Sequence, residues 1–493
     1  MKSWHKLLAI IAILALGISG SYSSSNTKML LVVNFDVEDY ITPESERIDD
    51  IPKWLAEIMS EEGVTGTFFV IGEKARSLEK RGRRDVIAAM AKHDIGSHTN
   101  FGSIHPTVTE QLEKADWESG VRQMFDQESA GIKELGRIFG TRVTTLARHG
   151  GSYGPQLICA LGKMKAGYAG SPLNLPGRNV VWFCNALNFY GQYDGFDDAY
   201  SRDDLFEPLF DKLKAELPKL AQSVDVLPFF AGHPTKIRAL QFWDLNYYDG
   251  KNPGPGEWKT PELRPLASMK TAQKNFRRLM RYLKNQDGIE VTTFRSLMEL
   301  YSQQQEFLSS AELRDIAEVT LKKKMIVPTE SFSPAETFAG FAKSIMDYQD
   351  NGSLPQILEA IRPLGPLEMP ISQPEIFRVT LKEVYELARK ADDYIQRVGS
   401  LPSHLPVGNT RIGTGSLLAL FSAVYLNLNL EKPRSDYEVP SFDAYPKTNE
   451  QDIIRRIEGF KSWPVHRRDL DMKNIVEMTK LQLWTLKPAH KDS

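Results

Sequence analysis

Cysteine is scarce in this chain, which has only Cys159 and Cys184 among its 493 residues. Two cysteines exclude a disulfide-based scaffold, although an exported protein would still allow this pair to bond. Two buried free thiols are the equal alternative. The apolar content of 41% indicates a globular protein rather than a disordered one.

An excess of charge of either sign is also missing. The formal net charge is −2 and the sequence pI is about 6.5. This balance gives no reason to expect nucleic acid or a strongly anionic surface as a partner. The length exceeds that of one ordinary domain, so two or three domains are expected.

Long apolar runs are absent except at the N-terminus, where Lys2 and Lys6 precede an apolar run over 7–18. Small and polar residues follow at 20–25, which completes the pattern of a secretory signal peptide over 1–25. The run of about 12 residues falls short of the ~20 that a spanning helix needs. We therefore expect a secreted or cell-surface protein, with an uncleaved N-terminal anchor as the alternative. No cysteine lies near the end of the signal, which argues against a lipoprotein.

Residues 27–305 alternate between two kinds of segment. Runs rich in β-branched and aromatic residues predict strands at 29–33, 67–72, 95–98, 143–147, 180–183, 224–230 and 289–294. Apolar residues at helical spacing predict helices at 51–61, 83–92, 117–135, 205–220 and 269–285. Strands separated by helices at this spacing predict βα units and a mainly parallel sheet or barrel.

Residues 306–493 are predicted to form a mostly helical accessory domain with an internal repeat at about 333–356 and 380–403. Ser333 and Thr380 open the two copies as N-caps, and each is followed three residues later by a glutamate. Each copy ends in a Gly-x-x-Pro stop, so each is expected to be one capped helix followed by a loop.

Two interpretations of this accessory domain stay open on the sequence alone. It is either a helical cap packed on the first domain or a module that binds a wall or surface polymer. A protein partner is a third, weaker possibility. Another helix is predicted near 452–461.

The stretch after the first strand places two carboxylates together. At strand period, Asn34, Asp36 and Glu38 share one face, while the apolar residues share the other. The C-terminal ends of strands are where barrel and open-sheet α/β enzymes keep their chemistry. A solvated acidic loop is the simpler alternative.

Histidines follow two other predicted strands. His98 and His105 come after the third strand, and His233 follows the strand at 224–230. Neutral imidazoles with a carboxylate form an open site that keeps a position for water, so His98 and His105 are predicted metal ligands. Arg148 ends the strand at 143–147, and the glycines after it are expected to let the backbone approach a ligand.

These ordered motifs resemble those of the polysaccharide deacetylases of the NodB-homology type, carbohydrate esterase family 4. The resemblance covers about 27–305, and Thr67–Gly72 is similar to that family's second strand. It implies an α/β fold, a distorted (β/α) barrel of the NodB-homology type, followed here by the helical domain. The implied enzyme is a hydrolase of non-peptide C–N bonds. Its substrate would be an acetylated polysaccharide or glycan, and its cofactor a divalent metal ion, with Zn²⁺ as first choice.

The resemblance also implies individual roles. Asp36 matches the catalytic base, His98 and His105 match the metal-ligand histidines, and His233 matches the general acid. Arg148 resembles the arginine that holds the base aspartate, and the Tyr153-Gly154 pair resembles the Tyr-Gly that follows it. In the implied single-metal mechanism, the Tyr153 backbone N–H helps to stabilise the oxyanion.

The chain departs from the family pattern in four places. The usual adjacent aspartates are opened to Asp36-Val37-Glu38-Asp39, and same-face geometry makes Glu38 the first choice for the metal and Asp39 the second. His98 and His105 are seven residues apart rather than four, so a loop must bulge to bring them together. His149 stands where the family commonly has proline. The fourth motif has no confident match, and its candidates are Asp194, Asp197 and Asp198.

Two other functions stay open. One is a hydrolase of the same fold that acts on another non-peptide C–N bond, such as a small cyclic amide. The other is a non-catalytic carbohydrate-binding relic, which the altered first and second motifs favour. The joint presence of Asp36, His98, His105 and His233 favours the enzyme.

Overall fold

The structure is a computed structural model that describes residues 28–302, 304–371 and 377–491. The predicted signal peptide at 1–25 lies outside the described residues. Among the described helices, none combines the length and the apolar character that a bilayer crossing requires. Cys159 and Cys184 are free and buried, which agrees with the alternative of two buried free thiols.

Residues 28–302 alternate strands and helices. The strands are β1 (Met29–Val37), β2 (Thr67–Val70), β3 (Asp94–Ser97), β4 (Thr145–Ala147), β5 (Gly167–Ser171), β6 (Val180–Phe183), β7 (Ala186–Tyr190), β8 (Val226–Gly232) and β9 (Ile289–Thr292). The helices are α1 (Asp50–Glu61), α2 (Gly72–Lys80), α3 (Arg84–Met90), α4 (Val108–Leu112), α5 (Trp117–Phe139), α6 (Pro155–Lys163), α7 (Asp203–Leu220), α8 (Ser268–Lys284) and α9 (Phe294–Leu300).

The rest of the chain is mostly helical. Its helices are α10 (Ser310–Lys323), α11 (Pro334–Asn351), α12 (Leu381–Val398), α13 (Thr414–Asn429), α14 (Glu450–Gly459) and α15 (Lys473–Gln482). Its short strands are β10 (Phe307–Ser309), β11 (Ile357–Glu359), β12 (Arg378–Thr380), β13 (His404–Val407), β14 (Thr410–Gly413), β15 (Asp436–Glu438) and β16 (Lys487–Pro488). Short 3-10 turns lie at Glu44–Glu46, Pro234–Ile237, Trp243–Gly250, Pro255–Glu257, Phe460–Ser462 and Leu483–Thr485.

A single ten-stranded sheet organises the first domain. Its order is β16-β6-β7-β5-β4-β3-β2-β1-β8, and β9 also pairs with β1. Strands β1 to β5, β8 and β9 run parallel, while β6 is antiparallel to β7 and β16. The predicted α/β class is confirmed, and the sheet curls as a half-barrel. Because β1, β3, β4 and β8 are parallel, their C-terminal ends meet at one edge.

Strand β1 shows why the sheet is central. Leu31, Val33 and Phe35 point into the core formed with α1 and α8, while Leu30 and Val32 point into the core on the other face. Both faces are covered, as expected of a buried parallel sheet.

The second half of the chain divides into two parts. Helices α10 to α13 share a core of their own, in which Phe338 packs against Phe421. By contrast, Ile453 and Ile475, on α14 and α15, join the core of the sheet domain, and β16 completes the sheet edge. Helices α14 and α15 therefore pack on the sheet domain, whereas Trp484, which follows them, joins the core of α10 to α13. The sequence prediction placed all of 306–493 in the accessory domain.

The two predicted repeat helices are present as α11 and α12. The hydroxyls of Ser333 and Thr380 accept from the backbone N–H three residues later, and the glutamate there completes a capping box. Both helices end at a left-handed glycine, Gly352 or Gly399. The end of each repeat helix was therefore predicted correctly from its capping residues.

Candidate active site

Asp36 and Glu38 leave the end of β1 on the same face, as predicted. The Nε2 of His98, which follows β3, lies 3.1 Å from Glu38 Oε1 and 3.4 Å from Asp36 Oδ2. Glu38 and His98 are almost fully buried, while the Asp36 side chain keeps 16% of its exposure. One carboxylate is therefore closed off beside the imidazole, and the other faces the opening of the site.

His149 completes a group of possible metal ligands. Its Nδ1 lies 3.3 Å from Glu38 Oε1, and its ring stands at 85° to that of His98. The ligand atoms of Glu38, His98 and His149 lie within 4.8 Å of one another, and all three residues are buried. Apart from this contact with Glu38, Nδ1 of His149 has no hydrogen-bond partner among the described residues. In the tautomer that carries its proton on Nε2, the Nδ1 lone pair is available to bind a cation. One carboxylate and two imidazoles are a donor set that suits zinc.

Asp39 and His105, two of the predicted metal ligands, lie outside this group. The Asp39 carboxylate accepts hydrogen bonds from the backbone of Ile41 and from the backbone and hydroxyl of Thr42. It also accepts from the Thr235 hydroxyl. The two nitrogens of His105 are bonded to Glu110 and to a backbone carbonyl. The loop after His98 does not bring His105 back, and His149 lies where that histidine was expected.

His233, at the end of β8, forms a pair with Asp197. Its Nδ1 lies 2.9 Å from the Asp197 carboxylate. Its Nε2 lies 3.7 Å from Glu38 Oε1 and 3.8 Å from Asp36 Oδ2. Of the three fourth-motif candidates, the structure thus brings Asp197 to the site. Asp198 is paired with Lys236 and Arg264 instead.

The charges of these groups depend on burial and on one another. Burial raises the pKa of Asp36. Burial opposes ionisation of Glu38 as well, but His233 and His149 outweigh it and hold the pKa of Glu38 well below its usual range. Burial lowers the pKa of His149 to about 4, which leaves that imidazole neutral at pH 7.

For His233, burial is outweighed by Asp197 and Glu38, which raise the pKa to about 10. The site therefore holds a carboxylate with an elevated pKa opposite a protonated imidazole. A base and an acid are available within one cleft.

Arg148 and Tyr153 make other contacts than those that the resemblance implies. Nε of Arg148 donates to the Gly170 carbonyl at 3.0 Å, and its guanidinium stacks on the ring of Phe460. Across the described parts of the chain, Arg148 forms no ion pair with Asp36. The Tyr153 N–H donates to the Thr109 hydroxyl and so is not free for an oxyanion.

The glycines after Arg148 make room for the chain's own C-terminal part. A Cβ on Gly150 would lie 2.2 Å from the Trp463 ring, and one on Gly151 would lie 2.5 Å from the Phe460 carbonyl. Trp463 in turn packs against His149. These glycines were predicted to let the backbone approach a ligand; in the structure they allow the close approach of Phe460 and Trp463 instead.

Two further site residues carry no signal in the sequence. Trp243, in the 3-10 turn after β8, donates from Nε1 to Glu38 Oε2 at 2.8 Å. The next residue, Asp244, is buried beside the site, and burial raises the pKa of its carboxyl to about 7. Neither residue lies at a strand end or at a recognisable motif spacing. His149, in contrast, follows Arg148 at the end of β4, so its strand-end position was visible.

The chain was compared with protein-family models, with curated proteins and with solved structures. No protein-family model matches the chain, and no curated protein matches it. Solved structures that match include polysaccharide deacetylases. A peptidoglycan deacetylase from Bacillus subtilis is 13% identical, with a TM-score of 0.29, and the match covers 56% of this chain and 92% of that one.

Two other matched structures have different descriptions. The PuuE allantoinase is 12% identical over 56% of this chain and 91% of that one, with a TM-score of 0.37. A mutant of a CE4 family pseudoenzyme is 12% identical over 55% of this chain and 68% of that one, with a TM-score of 0.31.

Proposed function

We propose that this protein is a metal-dependent hydrolase that removes N-acetyl or similar acyl groups from a polysaccharide outside the cell. The main support is the meeting of three kinds of group at one edge of the sheet. These are the cluster of Glu38, His98 and His149, the carboxylate of Asp36, and the His233–Asp197 pair. A ligand set, a base and an acid within one cleft are the parts that metal-assisted hydrolysis needs.

The metal would be held by Glu38 Oε1, His98 Nε2 and His149 Nδ1. Zn²⁺ is the first choice because three nitrogen and oxygen donors that leave a position open are typical of catalytic zinc sites. A divalent ion bound there would polarise the acyl carbonyl and lower the pKa of the attacking water. Trp243 restrains the second Glu38 oxygen and thereby orients the first.

Asp36 is the proposed general base. It lies at the mouth of the site, and its raised pKa makes it a better proton acceptor than an exposed aspartate. Water adds to the acyl carbon while Asp36 takes one of the water's protons. His233 then donates its proton to the leaving amine as the C–N bond breaks. Asp197 keeps His233 protonated and fixes its ring.

The substrate and the location rest on the sequence. The ordered motifs resemble those of polysaccharide deacetylases, and the apolar run over 7–18 has the pattern of a secretory signal. An acetylated extracellular or cell-wall glycan is the substrate class that agrees with both. The products would be acetate and a free amino sugar.

The test begins with metal analysis of the purified protein and acetate release from acetylated chitooligosaccharides and wall fragments. We expect bound zinc and released acetate. His149→Ala should lose the metal, whereas His105→Gln, at a histidine outside the cluster, should keep it. Absence of both metal and acetate in the unmodified protein would overturn the proposal.

A non-catalytic carbohydrate-binding protein is the second candidate. The observation in its favour is that Arg148 bonds to the Gly170 carbonyl rather than to Asp36. This candidate predicts glycan binding without metal and without acetate release. Hydrolysis of a cyclic amide with no acetate from any glycan would instead indicate an enzyme acting on another C–N bond.

We also propose that the repeat helices α11 and α12 bind the wall polymer. The support is the repetition itself, because two similar units offer two similar contacts to a repeating ligand. Sedimentation of the full chain with insoluble wall polymer tests this. Binding that persists in Asp36→Asn and His149→Ala would lie outside the catalytic site, and binding lost in both would contradict it.

A further inference from the structure

Ser103 connects two of the places where the sequence departs from the pattern of its motifs. It lies within the long spacing between His98 and His105, and its side chain is fully buried. Its Oγ lies 2.9 Å from Nε2 of His149, the histidine that stands in place of proline. The long loop between His98 and His105 therefore contacts His149, which is another of the departures from the family pattern.

The bond to Ser103 bears on which nitrogen of His149 carries its proton. A neutral imidazole has one N–H and one lone pair. If Nε2–H donates to Ser103 Oγ, the lone pair is on Nδ1, which has no hydrogen-bond partner among the described residues and faces Glu38 Oε1 at 3.3 Å. Two acceptors that face each other at this distance favour a cation between them.

Asp244 extends this contact by one more residue. Burial raises the pKa of the Asp244 carboxyl to about 7, and an interaction with the Ser103 hydroxyl acts in the opposite direction. Asp244 is buried, and its Oδ1 has no hydrogen bond within the described parts of the chain. Ser103 is thus able to accept from His149 while it donates to Asp244. The preceding residue, Trp243, donates a hydrogen bond to Glu38. The same turn therefore contacts one proposed metal ligand directly, Glu38, and a second, His149, through Ser103.

The loop that holds Ser103 is itself fixed. The backbone N–H of Asn100 donates to the buried Glu128 carboxylate at 3.0 Å, and that of Gly102 donates to the Thr99 hydroxyl. A rigid support of this kind is what a ligand-orienting residue needs.

From these contacts, and resting on the metal site of the proposed function, we propose that Ser103 and Asp244 are positioning residues. They hold His149 as a ligand through Nδ1, and the long His98–His105 loop provides Ser103 for this purpose. The wide histidine spacing and the histidine in place of proline are then two parts of one rearranged metal site.

The test is the zinc dissociation constant of the full chain, measured by competition with a chromophoric chelator. Ser103→Ala should weaken zinc binding about 10- to 100-fold, the usual effect of removing a group that orients a ligand. Ser97→Ala is the matched control, because Ser97 is also buried beside His98 but its hydroxyl has no partner in the described chain. It should leave the dissociation constant unchanged.

Asp244→Asn is a second variant, in case Ser103→Ala does not fold. It should weaken zinc binding in the same direction, and the double variant should be little weaker than Ser103→Ala alone because both act through His149. The visible spectrum of the cobalt-substituted protein should change in Ser103→Ala and not in Ser97→Ala.

The outcomes separate this inference from the proposed function. If the unmodified protein binds zinc and releases acetate while Ser103→Ala binds zinc as tightly as Ser97→Ala, the inference is wrong and the proposed function stands. If the unmodified protein binds neither zinc nor cobalt, the proposed function fails and this inference fails with it.

Discussion

Trp463 packs edge-on against His149, with the ring centroids 5.2 Å apart and the planes at 84°. The tryptophan comes from the segment after α14, more than three hundred residues along the chain. Its other side contacts His466, which lies 3.3 Å from the Gly151 carbonyl. The C-terminal part of the chain thus forms one wall of the candidate active site and limits how far His149 can move.

Gly150→Ala should disturb this wall. The new Cβ would lie 2.2 Å from the Trp463 ring, so the ring must leave its present position beside His149. We expect a loss of about 1–3 kcal/mol in the free energy of unfolding from overpacking and left-handed strain, and weaker zinc binding. Chemical denaturation and chelator competition measure the two effects.

Gly177→Ala provides the matched control for that variant. Gly177 also has a positive φ, +72° against +50° for Gly150, but a Cβ added there would meet no atom of the described chain within 4 Å. Gly177→Ala should therefore introduce the strain of a left-handed alanine without a collision like that between residue 150 and Trp463. Equal losses of zinc affinity in the two variants would contradict a role for Trp463.

Much of the sheet domain could be predicted because its strands have a strong pattern. The alternation of β1 placed Asp36 and Glu38 on one face, and the structure keeps them there. Strand β5 and helix α6 were missed for a physical reason. Strand β5 is rich in glycine and alanine, and α6 is a short apolar run without a polar face, so neither has a clear period.

The metal-ligand set was harder to predict because spacing along the chain does not determine where a loop returns. His105 was expected to fold back towards Glu38, but Glu110, five residues later, binds its Nδ1 at 2.7 Å. Trp243 could not be found at all, since its bond to Glu38 depends on the path of a long loop after β8. In the sequence, His149 was noted only because it stands where the family commonly has proline. Asp197 was only one of three candidates for the fourth motif.

Asp36→Asn should remove nearly all turnover and leave the metal bound. Asparagine has nearly the same shape but cannot take the proton of the attacking water, so we expect a fall in kcat of about 10²- to 10⁴-fold. Acetate release and metal content, measured on one preparation, check both parts. Retained turnover would remove Asp36 from the role of base, and loss of the metal would make it a ligand.

The pH profile should respond to Asp197. In the unmodified protein, activity should rise as Asp36 loses its proton and fall as His233 loses its own near pH 10. Because Asp197 is the main group that raises the pKa of His233, Asp197→Asn should move the alkaline limb down by about 1–2 pH units. The acid limb should move down by less, because Asp197 is only a minor contributor to the raised pKa of Asp36. Asp198→Asn, one residue later and paired with Lys236, should move neither limb. A shift of the acid limb alone in Asp197→Asn would contradict the acid role of His233.

Glu110 should make the stability of the site depend on pH. Its carboxylate binds His105 Nδ1 and the backbone N–H groups of Thr107 and Arg467, and so ties the loop after His98 to the C-terminal segment. Burial opposes its ionisation, but His105 and these N–H groups lower its pKa from 4.5 to about 2. A carboxyl whose pKa is lowered on folding stabilises the protein above its unfolded pKa, and this contribution fades as the pH falls through the folded pKa.

Glu110→Gln should therefore cost about 2–3 kcal/mol in the free energy of unfolding at neutral pH, and progressively less from about pH 5 towards pH 2. Denaturant unfolding of the chelator-treated protein across this range measures the difference. Glu113→Gln is the control, because the Glu113 carboxylate also binds Arg467 and the backbone N–H of Asp471 in the C-terminal segment but makes no hydrogen bond to His105. A difference between Glu110→Gln and the unmodified protein that does not change with pH would mean that the variant loses packing rather than a charge, and that the bond between Glu110 and His105 does not require an ionised carboxylate.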